Sequence, residues 1–145
     1  MQELVSENAR KQLSELFGKI DLRILIIEDH EIMARGIRDF LQDGFVQKTA
    51  SIRILKDEEF EKIDTIIETF TPQLMVIDSS LKKWKKHPIH GNSGVSIVAA
   101  VKRKFPEIAM ICISTNPDNR DSALTNGAFL QTTKGDLPKV LKKCR

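Results

Sequence analysis

Cysteine is scarce in this sequence, tyrosine is absent, and no apolar run is long. The only cysteines, Cys112 and Cys144, cannot supply the set of disulfides that holds small secreted proteins together. No apolar run approaches the ~20 residues of a membrane-crossing helix. The first residues include Glu3 and Glu7 and lack the apolar stretch of a signal peptide. We therefore expect a cytoplasmic protein in a reducing environment, with no membrane partner.

The charges of the chain are unevenly distributed. Of 145 residues, 41% are hydrophobic and 30% charged, which is ordinary for one globular domain with its own core. Residues 1–78 contain 16 acidic and 10 basic side chains, whereas residues 79–145 contain 4 acidic and 13 basic ones. Seven of these bases lie between Ser79 and Pro106, with no acid among them. A basic surface could bind nucleic acid or an acidic partner, but a solvated lysine-rich surface is the simpler interpretation.

Short apolar runs alternate with helical patterns along the chain. Strands that are buried on both faces appear as such runs. The predicted strands are 24–27, 74–77, 109–113 and 128–130, with a weaker one at 45–50. The predicted helices are 30–44, 57–70, 93–105, 118–127 and 136–144. Strand and helix thus repeat five times, which predicts an α/β fold: a doubly wound, five-stranded parallel sheet with helices on both faces.

Three of the predicted helices have an apolar face at spacings of three and four residues, one of them with Phe60, Ile63, Ile67 and Phe70. In the helix after the first strand, this face comprises Ile32, Met33, Ile37, Phe40 and Leu41. A further helix precedes the first strand, and its apolar residues are Val5, Ala9, Leu13, Leu16, Phe17 and Ile20. We interpret residues 1–21 as a helical extension and 22–145 as the domain itself. The extension packs either on its own domain, which we favour slightly, or on a partner.

Several polar residues follow the predicted strands and should meet at one edge of the sheet, because parallel strands end there together. They are Glu28 and Asp29 after the first strand, Asp78 after the third, Ser114 and Thr115 after the fourth, and Lys134 after the fifth. Buried carboxylates repel one another unless a cation offsets their charge. Mg²⁺ suits such a site because it prefers oxygen ligands and keeps several waters. Asp78 could then attack phosphorus and carry a phosphoryl group.

The motifs around these residues resemble the receiver domains of two-component response regulators. The resemblance covers roughly residues 22–145 and is carried by four segments in the family's order: ILIIEDHEIMARGI, TPQLMVIDSSL, FPEIAMICIST and NGAFLQTTKGD. It is strongest to the subfamily whose members have a helix-turn-helix output domain. The resemblance implies the flavodoxin-like receiver fold, with the extra N-terminal helix in front.

The resemblance also implies a role for each residue of the predicted site. Asp78 would be the phosphoacceptor, and Lys134 would pair with it and then with the phosphoryl group. Mg²⁺ would be bound by Asp29, Asp78 and the backbone carbonyl of Ser80, with Glu28 acting mainly through water. Ser114 would be the switch hydroxyl, with Thr115 as the alternative. Gln131 stands where many relatives have an aromatic switch residue.

The partners implied by the resemblance are a histidine kinase or a phosphotransfer protein, and a homodimer is a further option. Catalysis would be limited to phosphorylation and dephosphorylation of Asp78 itself. The family's role in transcription regulation would involve DNA only through an output domain, and none follows Arg145 in this sequence. We thus expect a phosphorylation-controlled protein-interaction surface rather than an enzyme.

A basic insertion, KKWKKHPIHGNS at residues 82–93, departs from the family pattern. It leaves a second hypothesis open: a receiver-like binding or dimerisation module that works without phosphorylation, through this insertion or the N-terminal helix. Trp84 could dock a partner or fold back on its own domain. A phosphohydrolase is disfavoured because Ser80 stands where such enzymes commonly have a second acid. Zinc is disfavoured because the histidines and cysteines match no compact ligand spacing.

Overall fold

In the computed structural model, a five-stranded sheet forms the centre of the molecule. The structure describes residues 7–79, 81, 93–114 and 128–144, with the backbone alone for 93–95. The strands are β1 (Arg23–Ile27), β2 (Ser51–Ile54), β3 (Leu74–Asp78), β4 (Ala109–Ser114) and β5 (Leu130–Thr133). All four strand pairs are parallel, and the strand order is β2-β1-β3-β4-β5. The prediction of a doubly wound five-stranded parallel sheet is confirmed.

The helices connect these strands in the predicted alternation. They are α1 (Glu7–Phe17), α2 (Glu31–Gly44), α3 (Ile63–Phe70), α4 (Ser93–Lys104) and α5 (Leu137–Lys142). A 3-10 helix, Asp57–Lys62, leads directly into α3. The predicted helix at 118–127 lies outside the described residues. Among the described residues, no helix has the length and apolarity needed to cross a membrane.

The side chains of each central strand enter two separate cores, one on each face of the sheet. In β1, Ile24 and Ile26 join the core beneath α2 and α5, whereas Leu25 and Ile27 join the core beneath α3 and α4. All four are fully buried. Both faces of the sheet are therefore covered, which explains why this strand has no polar alternation in the sequence.

The predicted strand at 45–50 is wrong, because β2 begins only at Ser51. Phe45 instead ends α2, where its N–H donates to the Leu41 carbonyl at 3.0 Å. Its ring packs against Phe40 and Phe17, with centroid distances of 4.8 and 5.7 Å. Phe45, an apolar residue before position 50, therefore packs against helices and is not part of a strand. β2 lies at the edge of the sheet and is only half-buried, so its own signal is weak.

The predicted apolar face of α2 is correct in its second half and wrong in its first. Ile37 and Leu41 are buried, together with Ala34. Ile32 and Met33, in contrast, are 76% and 37% exposed. The buried residues follow a spacing of three and four. At about 100° per residue, Ile32 lies about 180° around the helix from Leu41, so it belongs to the opposite, exposed face.

The helix α1 packs on its own domain. Ala9, Leu13 and Phe17 are buried, and the last two belong to the same core cluster as Val140 and Leu141 of α5. Of the two options left open by the sequence, the described residues therefore show self-packing. Val5 lies outside the described residues, and the boundary between extension and domain after residue 21 stays a prediction.

Candidate functional site

The candidate site lies at the carboxyl edge of the sheet, where β1 and β3 end side by side. Their register pairs Ile27 with Ile77, so the next residues along the two strands, Glu28 and Asp78, are neighbours. The strand order reverses at β1 and β3, and open α/β sheets place their binding sites at such switch points. The topology thus brings acids from distant parts of the sequence to one place.

Three carboxylates form the centre of the site. Glu28, Asp29 and Asp78 each offer an oxygen atom such that all three atoms lie within 4.8 Å of one another. The residues are only 2%, 8% and 3% exposed, respectively. Like charges at this distance and burial repel one another strongly unless a proton or a cation intervenes.

Lys134 provides the cation that the structure places at this site. It follows β5, and its Nζ lies 3.1 Å from Oε1 of Glu28 and 3.4 Å from Oδ2 of Asp78. The backbone N–H of Lys134 donates a hydrogen bond to the Ser114 carbonyl at 3.1 Å. This bond joins the chain after β5 to the end of β4. One ammonium group thus contacts carboxylates from two strands.

The protonation equilibria of the site reflect this crowding. Burial, and then the hydrogen bond and negative charge of Asp78, raise the pKa of Glu28 from its ordinary 4.5 to about 8, although Lys134 opposes the shift. Burial by itself would lower the pKa of Lys134, but the charges of Asp78 and Glu28 outweigh it and raise that pKa. At neutral pH the lysine is therefore charged and Glu28 holds a proton in the metal-free protein.

The donor set fits a hard divalent cation such as Mg²⁺. All three candidate side-chain ligands are carboxylates, and Mg²⁺ prefers oxygen. Oε2 of Glu28 is buried and has no hydrogen-bond partner in the described part of the chain. Once Glu28 loses its proton, this oxygen is a buried acceptor that a cation or a water would satisfy.

Ser114 is the predicted switch hydroxyl, and it lies on the strand next to the one that carries Asp78. It ends β4, is fully buried, and pairs with Thr133 of β5. One residue earlier in the ladder, Ile113 pairs with Asp78. Thr115, the alternative switch hydroxyl, and Ser80, whose carbonyl is the predicted metal ligand, both lie outside the described residues. So do residues 82–92 of the insertion, including Trp84.

The described residues contain one group with metal-site geometry, and it has no histidine or cysteine. Cys112 lies in β4 and is fully buried. Burial, followed by the charge of Asp78, raises the pKa of its thiol to about 12, so the thiol stays protonated and is a poor ligand. His87 and His90 lie outside the described residues, whereas His30 is exposed at the start of α2.

Two features of the site were missed by the sequence reasoning. The hydroxyl of Ser79, next to Asp78, is buried without a partner among the described residues. A cleft of about 360 Å³ also opens beside Glu28 and Asp29, with Arg35 and Lys56 among its other walls. The cleft depends on how α2 approaches the loop after β2, which no local pattern encodes. The one sequence feature that points to Ser79 is its position directly after the predicted end of a buried strand.

Known proteins resemble this chain in structure rather than in sequence. No protein-family model and no curated protein matches it. The RcsB response regulator of Salmonella typhimurium superposes with a TM-score of 0.66 at 19% identity, over 86% of this chain and 58% of that one. The signal receiver domain of a DNA binding response regulator (merR) from Colwellia psychrerythraea 34H gives 0.65 at 24% identity, over 85% and 97%.

A LuxR-family two-component response regulator from Aurantimonas sp. SI85-9A1 also matches, with a TM-score of 0.65 at 18% identity, over 85% of this chain and 81% of that one. At these identities the likeness establishes the fold alone. The chain has the fold of response regulator receiver domains, which is the flavodoxin-like α/β fold expected from the resemblance of its motifs. It spans 58% of the length of the RcsB chain.

Proposed function

We propose that this chain is the phosphoacceptor receiver domain of a two-component response regulator, phosphorylated on Asp78. One observation carries the proposal: three carboxylates, each less than a tenth exposed, converge beside the ammonium group of Lys134. Burying like charges together is costly, and the arrangement makes chemical sense where a cation and a phosphoryl group are to be held. The receiver fold supports the same role.

Asp78 supplies the nucleophile in this proposal. One of its carboxylate oxygens attacks the phosphorus of a phosphohistidine, the phosphorus–nitrogen bond breaks, and the imidazole leaves with the electron pair. Water later hydrolyses the acyl phosphate to the carboxylate and inorganic phosphate. Lys134 exchanges its contact with Asp78 for one with a phosphoryl oxygen. The chain catalyses only these reactions of its own side chain.

The carboxylates are the residues that would hold Mg²⁺. Asp29 and Asp78 would bind it directly and Glu28 through water, and the carbonyl of Ser80 would complete the protein ligands. When bound, the ion neutralises charge on the phosphoryl oxygens. Loss of the Glu28 proton would strengthen binding, because an ionised carboxylate attracts the cation and accepts hydrogen bonds from its waters.

Ser114 connects the site to the protein surface in this proposal. A hydrogen bond from its hydroxyl, or from that of Thr115, to the phosphoryl group would draw the end of β4 towards Asp78. This movement would shift the population between two arrangements of an interaction surface. The proposed partners are a histidine kinase or phosphotransfer protein in the cytoplasm and, in a homodimer, a second copy. Transcription regulation through DNA would require an output domain.

The phosphorylation-independent module finds less support. One of its two proposed contact elements is α1, whose residues Ala9, Leu13 and Phe17 are already buried on the domain itself. That apolar face is therefore occupied. The other element, the insertion 82–93, lies almost entirely outside the described residues and adds no support.

Intact-protein mass spectrometry with a small phosphodonor tests the proposal. We expect incubation with acetyl phosphate and Mg²⁺ to add the mass of one phosphoryl group, and EDTA to prevent the addition. The Asp78→Asn variant should gain no mass. Asp43→Asn is the matched control, because Asp43 is an exposed residue of α2 far from the carboxyl edge.

Two outcomes would contradict the proposal. If the wild-type protein gains no mass with acetyl phosphate or with a histidine kinase, the phosphorylation-independent module becomes the better account. If Asp78→Asn gains the same mass as wild type, the phosphoacceptor is another residue. Phosphorylation of wild type and Asp43→Asn, but not of Asp78→Asn, is the predicted pattern.

A further inference from the structure

Leu81, three residues after Asp78, has an unusual backbone conformation. Its φ angle is 36°, and only one other non-glycine residue in the described part of the chain has a positive φ. That residue, Thr71, is the left-handed C-cap of α3, a position where this conformation is common. Leu81 instead follows the end of β3. Because a Cβ atom makes the left-handed conformation unfavourable, another interaction has to hold Leu81 in it.

The side chain of Leu81 supplies that interaction. It is fully buried, although the residue lies after the strand and not within it. It belongs to the core cluster beneath α3 and α4, together with Ile77 of β3 and Ile97 and Val98 of α4. Burial of this apolar surface is favourable and offsets the unfavourable φ angle. A glycine would adopt the angle without steric cost but would have no side chain to bury.

The φ angle of Leu81 bears on the candidate site because of the peptide group that it orients. This dihedral describes rotation about the N–Cα bond of Leu81, and the nitrogen belongs to the planar peptide unit that contains the Ser80 carbonyl. That carbonyl is the predicted metal ligand. On the other side of Ser80, the backbone N–H of Ser79 donates to the Ile113 carbonyl at 2.8 Å. The strand ladder therefore holds the residue before Ser80, and the core holds the residue after it.

We propose that Leu81 is a positioning residue for the cation site. Its buried side chain keeps the turn in the left-handed conformation, and the turn directs the Ser80 carbonyl to the cation. The inference rests on the function proposed above and deepens it. A strained backbone angle persists only where the surrounding structure enforces it, and such angles cluster at functional sites. Asp29 and Asp78 do not depend on Leu81, so losing the anchor should weaken cation binding without abolishing it.

Three variants of Leu81 separate the buried anchor from the backbone angle. Titration of the ¹⁵N-labelled full chain with Mg²⁺, followed through the amide resonance of Asp29, measures the affinity. We expect Leu81→Ala to bind roughly tenfold more weakly, because alanine keeps the penalty of a positive φ and loses the anchor. Leu81→Gly should fall between Leu81→Ala and wild type, since glycine still populates the angle. Leu81→Met, which keeps an apolar side chain of similar volume, should bind within about twofold of wild type.

Leu141→Ala is the matched control, because it makes the same change at a buried position of α5, in the core on the other face of the sheet. It should bind Mg²⁺ as the wild-type protein does. A role in packing alone predicts that glycine, which removes more of the side chain, is worse than alanine. Wild-type affinity in Leu81→Ala or Leu81→Gly, or weaker binding by Leu81→Gly than by Leu81→Ala, would overturn the positioning role while the proposed function stands. No binding of Mg²⁺ by the wild-type protein would overturn both.

Discussion

Single residues decide the electrostatics of the carboxyl edge, and Glu28 is the clearest case. Its pKa of about 8 lies above the ordinary 4.5, because of burial first and the neighbouring Asp78 second. The folded metal-free protein therefore holds this proton more tightly than the unfolded chain does. The resulting stabilisation is complete below about pH 4.5 and is lost as the pH rises through about 8.

This proton predicts a pH-dependent stability that one substitution removes. Between pH 6 and 9, in EDTA, we expect the wild-type protein to lose about 2 kcal/mol of unfolding free energy that Glu28→Gln retains. Urea unfolding at the two pH values measures the difference. Glu58→Gln, at an exposed position of the 3-10 helix, should behave as wild type. Equal pH dependence in Glu28→Gln and wild type would show that Glu28 is ionised throughout.

Lys134 offsets the negative charge of the same carboxylate cluster. Its side chain is 15% exposed and contacts two carboxylates that are almost fully buried. Removing one partner of such a group leaves buried charge behind, so Lys134→Met should destabilise the protein by about 3 kcal/mol at pH 8. The loss of stability should be smaller at pH 6, because a larger fraction of Glu28 is protonated and neutral there.

The control for this change is Lys139→Met, which replaces an exposed lysine of α5. Unfolding by urea should show little change for that variant, since exposed substitutions rarely exceed ±0.5 kcal/mol. A Lys134→Met protein as stable as Lys139→Met would mean that water already screens the carboxylates.

Whole helices and strands show where sequence patterns are informative and where they are not. The apolar runs of β1, β3 and β4 were predictable, because strands covered on both faces leave a continuous signal. The edge strand β2 was misplaced, because it is half-exposed and Phe45 before it packs on a helix instead. The exposure of Ile32 follows from helical periodicity itself, because this residue lies about 180° around α2 from the buried Leu41 and was wrongly assigned to the apolar face.

The helix α1 is the element whose packing is most easily tested. Leu13 is fully buried within the core cluster that includes α5. We therefore expect Leu13→Ala to lower the unfolding free energy by about 3 kcal/mol, as large-to-small changes in cores do. Circular dichroism during urea unfolding measures this change. Gln12→Ala, on the exposed side of the same helix, should change it by less than about 0.5 kcal/mol. A negligible loss in Leu13→Ala would mean that α1 is only loosely held.

The basic residues at the end of α4 have a structural explanation. Lys102, Arg103 and Lys104 occupy its last turn, where cations are favoured by the negative end of the helix dipole. Lys104 also forms an ion pair with Asp64 of α3. This part of the basic region therefore has a structural role, which favours the simpler interpretation of a solvated surface there.

At the scale of the whole molecule, the order of the strands brings the residues of the candidate site together. Glu28 and Lys134 are 106 positions apart in the chain, yet the order of the strands makes them contact. The meeting of the acids and the lysine at one edge could be predicted from the order of strands and helices. The contact of Lys134 with two carboxylates could not, because it depends on side-chain geometry that no sequence pattern encodes.

The central claim is that Glu28, Asp29 and Asp78 form one cation site on which phosphorylation depends. Titration of the ¹⁵N-labelled protein with Mg²⁺ tests it most directly, with Asp29→Asn and the exposed Asp39→Asn compared side by side. We expect saturable shifts of the amide resonances of residues 28, 29, 78 and 79 in wild type and Asp39→Asn, and their loss in Asp29→Asn. Resonances at these positions that stay unmoved in the wild-type protein at millimolar Mg²⁺ would contradict it.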